Sequence, residues 1–217
     1  MAGLVLGGLG VLVIGGVAMW AYTGTLDSSA VEIQKGTITG KQRLTSTASL
    51  PRSSNESQGA TFSFECWFEV NDFTYGYGHR RCIFSRGDTP GVYLDSTSNS
   101  LIILVKTYGA TDSVMIENIP IQKWVHLAIV VTQYTVDVYV NGMIRQHHTL
   151  SQLPKQEDAA TQVSDNTGFD GQIAGLTYYS RALSPIEITA HAASTPQSLI
   201  TAPQGGQYLD LTWYTGR

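Results

Sequence analysis

Residues 123–150 read KWVHLAIVVTQYTVDVYVNGMIRQHHTL. Two bends divide this stretch, Gln133-Tyr134 and Asn141-Gly142. Asn-Gly is the strongest short hairpin signal because both residues tolerate positive φ. The bends leave three predicted strands: Trp124–Thr132, Thr135–Val140 and Met143–Leu150. Together they predict an antiparallel meander. Its first strand is apolar on both faces, which places it inside a sheet rather than at an edge.

Upstream, residues 61–70, TFSFECWFEV, alternate strictly. Phe62, Phe64, Cys66, Phe68 and Val70 share one face, and Ser63, Glu65, Trp67 and Glu69 share the other. Period-two alternation predicts a strand with one buried face and one solvated face. A Gly-rich polar loop, NDFTYGYGHR, follows, then the short strand-like runs RCIFSRG, GVYLDS, SLIILVKT and SVMIENI. Downstream, GFDGQIAGLTYYSRAL returns to strand character. SPIEITAHAAS carries a helix start, with Ser184 as N-cap, Pro185 at the first helical position and Glu187 three residues past the cap. QYLDLTWY reads as a last strand. Many short antiparallel strands with one small helix predict an all-β fold, a two-sheet antiparallel jelly-roll sandwich.

The chain has 217 residues, of which only 14% are charged, and a net charge of −4. No Asp, Glu, Lys or Arg precedes Asp27, so that charge belongs to the remainder. An acidic body excludes nucleic acid as the main partner, because phosphate binding needs a basic surface. The two cysteines, Cys66 and Cys82, are too few for a disulfide scaffold. They read either as a cross-strand disulfide or as two buried thiols.

The opening, MAGLVLGGLGVLVIGGVAMWAYTGTL, has 19 uncharged residues from Leu4 to Tyr22. That matches the roughly 20 residues a spanning helix needs. A cleaved signal peptide would show a basic n-region, which is missing here. The expectation is one transmembrane anchor helix over 1–26, with Leu4, Leu12 and Ile14 in lipid and Trp20 and Tyr22 at the interface. Residues 27–217 then form one β-sandwich domain. The implied location is a membrane, crossed once.

Three segments, in order, resemble the laminin-G-like, concanavalin-A-like lectin/glucanase family. ATFSFECWFEV is similar to that family's early aromatic strand. KWVHLAIVVTQYTVDVYVNGMI is similar to its W-x-H-h-A strand and Y-h-N-G hairpin, where h is apolar. FDGQIAGLTYYSRALSPIEI resembles its G-x-I-x-x-h-x-h-Y-x-R-x-L-S-x-x-E-I segment, the most specific of the three. The resemblance implies the lectin-type jelly roll. The family often places acidic residues after the Ile of the third segment, whereas this chain has Ala174-Gly175. That departure weakens a calcium site. The family contains lectins, adhesion modules, glycosidases and structural domains, so the fold names no activity.

Several features carry candidate chemistry. Glu65 and Glu69 sit at i and i+4 on one strand face with Trp67 between them, either as solvated residues or as a sugar platform. Tyr75 and Tyr77 supply loop aromatics for the same purpose. His147 and His148, adjacent on a strand, point to opposite faces and cannot chelate together. Arg86-Gly87-Asp88 is either an integrin-type tripeptide or ordinary turn chemistry. Asp88 and Asp170 are candidate calcium ligands beside loops, the one cofactor held open.

No catalytic constellation emerges, so the expected role is not enzymatic. It is a membrane-anchored structural or interaction protein whose sandwich binds neighbouring proteins of an assembly. An anchor plus a lone domain of this kind resembles membrane-associated minor capsid proteins of large DNA viruses, which implies a virion. The alternative is a carbohydrate-binding module with glycans as partners.

Overall fold

The computed structural model describes residues 27–53 and 60–194. Among them no helix is long and apolar enough to cross a membrane. The predicted anchor, with Leu4, Leu12, Ile14, Trp20 and Tyr22, lies outside the described residues, and so does the predicted strand at 207–214.

Among the described residues, twelve strands form two six-stranded sheets. The first sheet contains, in spatial order, β1 (Ala30–Thr39), β12 (Asp170–Tyr179), β3 (Phe62–Asp72), β8 (Val125–Val131), β9 (Thr135–Val140) and β10 (Met143–Thr149). The second contains β2 (Leu44–Ser46), β11 (Thr161–Val163), β4 (Arg81–Ser85), β5 (Gly91–Leu94), β6 (Leu101–Lys106) and β7 (Thr111–Ile116). Each strand pairs antiparallel with its neighbours.

The meander at 123–150 forms as its sequence predicts. Asn141 and Gly142 both hold positive φ, 52° and 80°. The Asn141 side chain accepts a hydrogen bond from the His126 backbone N–H at 2.9 Å, which ties the turn to β8. β8 is buried along its whole length and lies between β3 and β9.

The alternation in β3 reads the core correctly. Phe62, Phe64, Cys66, Phe68 and Val70 enter the space between the sheets. Phe64 stacks on Phe84 of β4 at 5.7 Å and meets Tyr178 of β12 edge-on at 5.1 Å. Fully burying such a side chain contributes about 1.5–3 kcal/mol.

The single helix among the described residues, α1 (Pro185–Ala193), starts with the predicted cap. Ser184 accepts from the Glu187 N–H, and the Glu187 carboxylate accepts from the Ser184 N–H at 2.8 Å. α1 lies on the outer face of the first sheet. Its Ile188 packs with Ala128, Val130, Tyr139 and Leu183 in a second apolar cluster. A Cβ on Gly142 would come within 3.2 Å of the Thr189 Cα, so glycine also permits the helix to approach the hairpin. The outer face of β3 is therefore not the solvated face that alternation predicts.

Candidate functional site

Two regions carry concentrated chemistry. The first lies between α1 and the first sheet. Glu65 of β3 is only 5% exposed. Its Oε2 is 2.8 Å from Nδ1 of His191 on α1, and its Oε1 is 3.8 Å from Nε2 of His126 on β8. The His126 ring packs against Trp67 with centroids 5.0 Å apart. Burial depresses the His126 pKa, against the pull of Glu65. His191 goes the other way, raised by its hydrogen bond to Glu65. Tyr179 stacks on the His191 ring at 6.1 Å, and its phenol is pushed up by burial, with the Glu65 charge adding to it.

This arrangement corrects three expectations. Glu65 is a buried anchor for α1, not a solvated residue. Trp67 is buried against Ala174, with Trp124 packed on it, and has no free face on which a sugar could stack. Glu69 is half-buried opposite Gln172 of β12. Four residues of strand rise separate Glu65 from Glu69 by about 13 Å. A glycosidase carboxyl pair sits roughly 5–9.5 Å apart. The nearby hydroxyl of Ser63 is committed as well, donating to the Arg181 carbonyl and accepting from the Leu183 N–H.

The second region is the β3–β4 loop at one end of the sandwich. Tyr77 is 63% exposed there, and Tyr75 stands beside it, partly exposed. The Lys41 ammonium sits 4.7 Å from the Tyr75 ring centroid, and the Tyr75 hydroxyl reaches the Thr167 carbonyl. Three loops thus meet at this rim. Beneath it lies Arg81 of β4, 1% exposed. Its guanidinium donates to the carbonyls of Phe73, Tyr75 and Asp95. Three loop carbonyls on one planar cation pin the segment that presents the tyrosines. No local pattern in the sequence marks Arg81 for this task, because its acceptors are backbone groups.

The candidate calcium ligands do not converge. The Asp88 carboxylate accepts from the Tyr93 hydroxyl at 2.5 Å and the Ser85 hydroxyl at 3.2 Å. Asp170 pairs with Lys41 at 3.2 Å. Among the described residues no three His, Cys, Asp or Glu side chains gather as a metal site. Each of the two aspartates is instead committed to a protein partner. The tripeptide Arg86-Gly87-Asp88 is no adhesive display either, since Arg86 is buried and Asp88 serves its own turn at φ 62°. Cys66 and Cys82 are free, buried thiols, which removes the disulfide alternative.

On the outer face, His191 and Tyr179 complete a cluster that spacing did not reveal. Comparison with known proteins speaks to the fold. No curated protein matches the chain. Among solved structures it is similar to the botulinum neurotoxin serotype G binding domain at 15% identity and a TM-score of 0.54, covering 73% of this chain and 46% of that one. It is also similar to the botulinum neurotoxin serotype D ligand binding domain in complex with N-acetylneuraminic acid, at 10% identity and a TM-score of 0.57, covering 79% and 52%. The chain therefore spans about half the length of these structures, and identities this low show a shared fold alone. The model of the concanavalin A-like lectin/glucanases superfamily matches residues 40–189, the whole span from the end of β1 into α1. On that match and the two-sheet sandwich it predicts, the chain belongs to the concanavalin A-like lectin/glucanases superfamily.

Proposed function

We propose that this chain is a non-catalytic binding module that takes glycan at the Tyr75–Tyr77 rim. The observation that carries the reading is the exposed Tyr77 on a loop clamped from below by Arg81. A held aromatic face loses little freedom on stacking against a sugar ring. Support comes from the serotype D neighbour, which was solved with N-acetylneuraminic acid. The test is a glycan array probed with the full chain, with calcium and again with a chelator. Saturable binding that Tyr77→Ala abolishes supports the reading. A blank array from folded protein overturns it.

A second reading rests on the uncharged stretch before Asp27. In it the stretch anchors the chain in a membrane once, and the sandwich binds neighbouring proteins of an assembly, as a minor capsid component of a large DNA virus would. Membrane fractionation and cross-linking in the native membrane test it. Recovery in the alkali-soluble fraction, with no cross-linked neighbour, counts against it.

A further inference from the structure

Asp27, which directly follows the uncharged stretch, is fixed to the body of the sandwich. Its carboxylate lies 2.6 Å from Nη2 of Arg181, and its carbonyl accepts from the Ala30 N–H at 2.9 Å. The five steps of chain from Tyr22 to Asp27 reach about 18 Å at most, even fully extended. A span over residues 4–22 therefore holds the end of the sandwich where β1 begins close to the bilayer.

Strand pairing shows what else stands at that end. Ala30 pairs with Tyr179, Tyr179 with Ser63, Phe62 with Val131 and Thr135 with Thr149. The β8–β9 turn is thus at the same end as Ala30, about four strand spacings or 19 Å across the sheet. Three turns are tied together there. The Leu150 N–H donates to the Tyr134 carbonyl at 2.7 Å, and the Tyr108 N–H donates to the Leu153 carbonyl at 3.0 Å. Tyr108 is 69% exposed, Tyr134 58% and Leu153 41%. The Lys155 ammonium stands 5.7 Å from the Tyr108 ring centroid. Exposure alone does not choose this end, because Tyr75 and Tyr77 are exposed at the other. The place where the chain leaves toward the uncharged stretch does choose it.

We infer that the Tyr108–Tyr134–Leu153 end is a lipid-contacting surface, an inference that rests on the single-span anchor reading. Tyrosine rings suit the headgroup level, with an apolar body toward the hydrocarbon and a hydroxyl toward water. Lys155 beside them adds a cation for phosphate or an anionic headgroup. The Tyr75–Tyr77 loop then faces away from the membrane, about 33 Å distant by the ten-residue rise of β3.

The test uses the full chain in vesicles of phosphatidylcholine with phosphatidylserine, carrying one fluorescent label on Ala110→Cys, Gln152→Cys or His79→Cys. All three positions are exposed, and Cys66 and Cys82 are buried, so the introduced thiol alone takes the label. A nitroxide on the lipid headgroups is expected to quench the labels at 110 and 152 and to leave the label at 79 near full intensity. Tyr108→Ser combined with Tyr134→Ser is expected to lose most of that quenching while the chain still floats with the vesicles. In floating protein, no quenching at 110 and 152, equal or stronger quenching at 79, or quenching that the double variant leaves unchanged would each overturn the assignment and leave the anchor standing. Protein that does not float overturns the anchor reading and this surface with it.

Discussion

His191 Nδ1 lies 2.8 Å from Glu65 Oε2 across 126 residues of chain, and this contact fastens α1 to the first sheet. The hydrogen bond to Glu65 raises the His191 pKa above its ordinary value. A histidine raised in the folded state stabilises the fold fully below its unfolded pKa, about 6.5, and that contribution is lost as pH rises through the folded value. His126, depressed by burial, acts in the opposite sense, with its contribution present above about 6.5 and lost on acidification.

The first prediction compares melting of the unaltered protein with His191→Gln from about pH 8.5 to about pH 6, above the carboxylate range. The gap between them widens toward the acid end. Because the His191 side chain is 39% exposed, solvent screening holds the pH-dependent part to within about 1 kcal/mol. A gap that is flat or widens toward alkaline pH would show that His191 does not carry the linkage.

Arg81→Ala leaves three carbonyls without their donor and opens a buried space. The expected loss is about 3 kcal/mol or more by chemical denaturation. Arg81→Lys recovers only part of this, since an ammonium cannot reproduce the fork. Amide exchange of residues 73–78 is expected to speed up in both variants before global unfolding does. An unchanged exchange profile there would remove Arg81 from its role as the support of the rim.

Tyr77→Ala separates binding from stability. The side chain is largely exposed, so its removal is expected to shift stability by no more than about 0.5 kcal/mol. Loss of sugar binding with unchanged melting is the expected outcome. Retained binding would move the glycan site away from the β3–β4 loop.

Cys66 and Cys82 are expected to resist thiol reagents in the folded protein. Burial pushes both thiols up, Cys82 to about 12, so little thiolate exists near neutral pH and reagent access is closed. Labelling is expected to follow denaturation, and added reductant is expected to leave the melting temperature unchanged. Rapid labelling of native protein would contradict the burial of both thiols.

Ser184→Ala removes one half of the capping box and is expected to cost about 1 kcal/mol. Its partner Glu187, held at a pKa of about 2 mainly by its hydrogen bond with Arg181, still accepts from the position-184 backbone. Helix content near 222 nm is expected to fall slightly with stability. A neutral result would mean that packing of Ile188 alone holds α1 in place.

The sequence by itself determined the elements that depend on neighbours along the chain. Alternation over 61–70 identified the inner face of β3, because side chains on a strand repeat every two residues. Asn141-Gly142 marked the hairpin because its backbone needs positive φ, and Ser184 with Glu187 marked the helix start because the first N–H groups of a helix need acceptors. Tertiary structure decided what covers each face and which distant groups meet. Alternation assigns Glu65 and Trp67 to the outer face but says nothing of a helix from residues 185–193 lying over it. The same limit applies to Arg86. Its place in a turn was legible, but its burial was not, because the Ala159 carbonyl and the Tyr178 ring that stand against it come from segments far away along the chain.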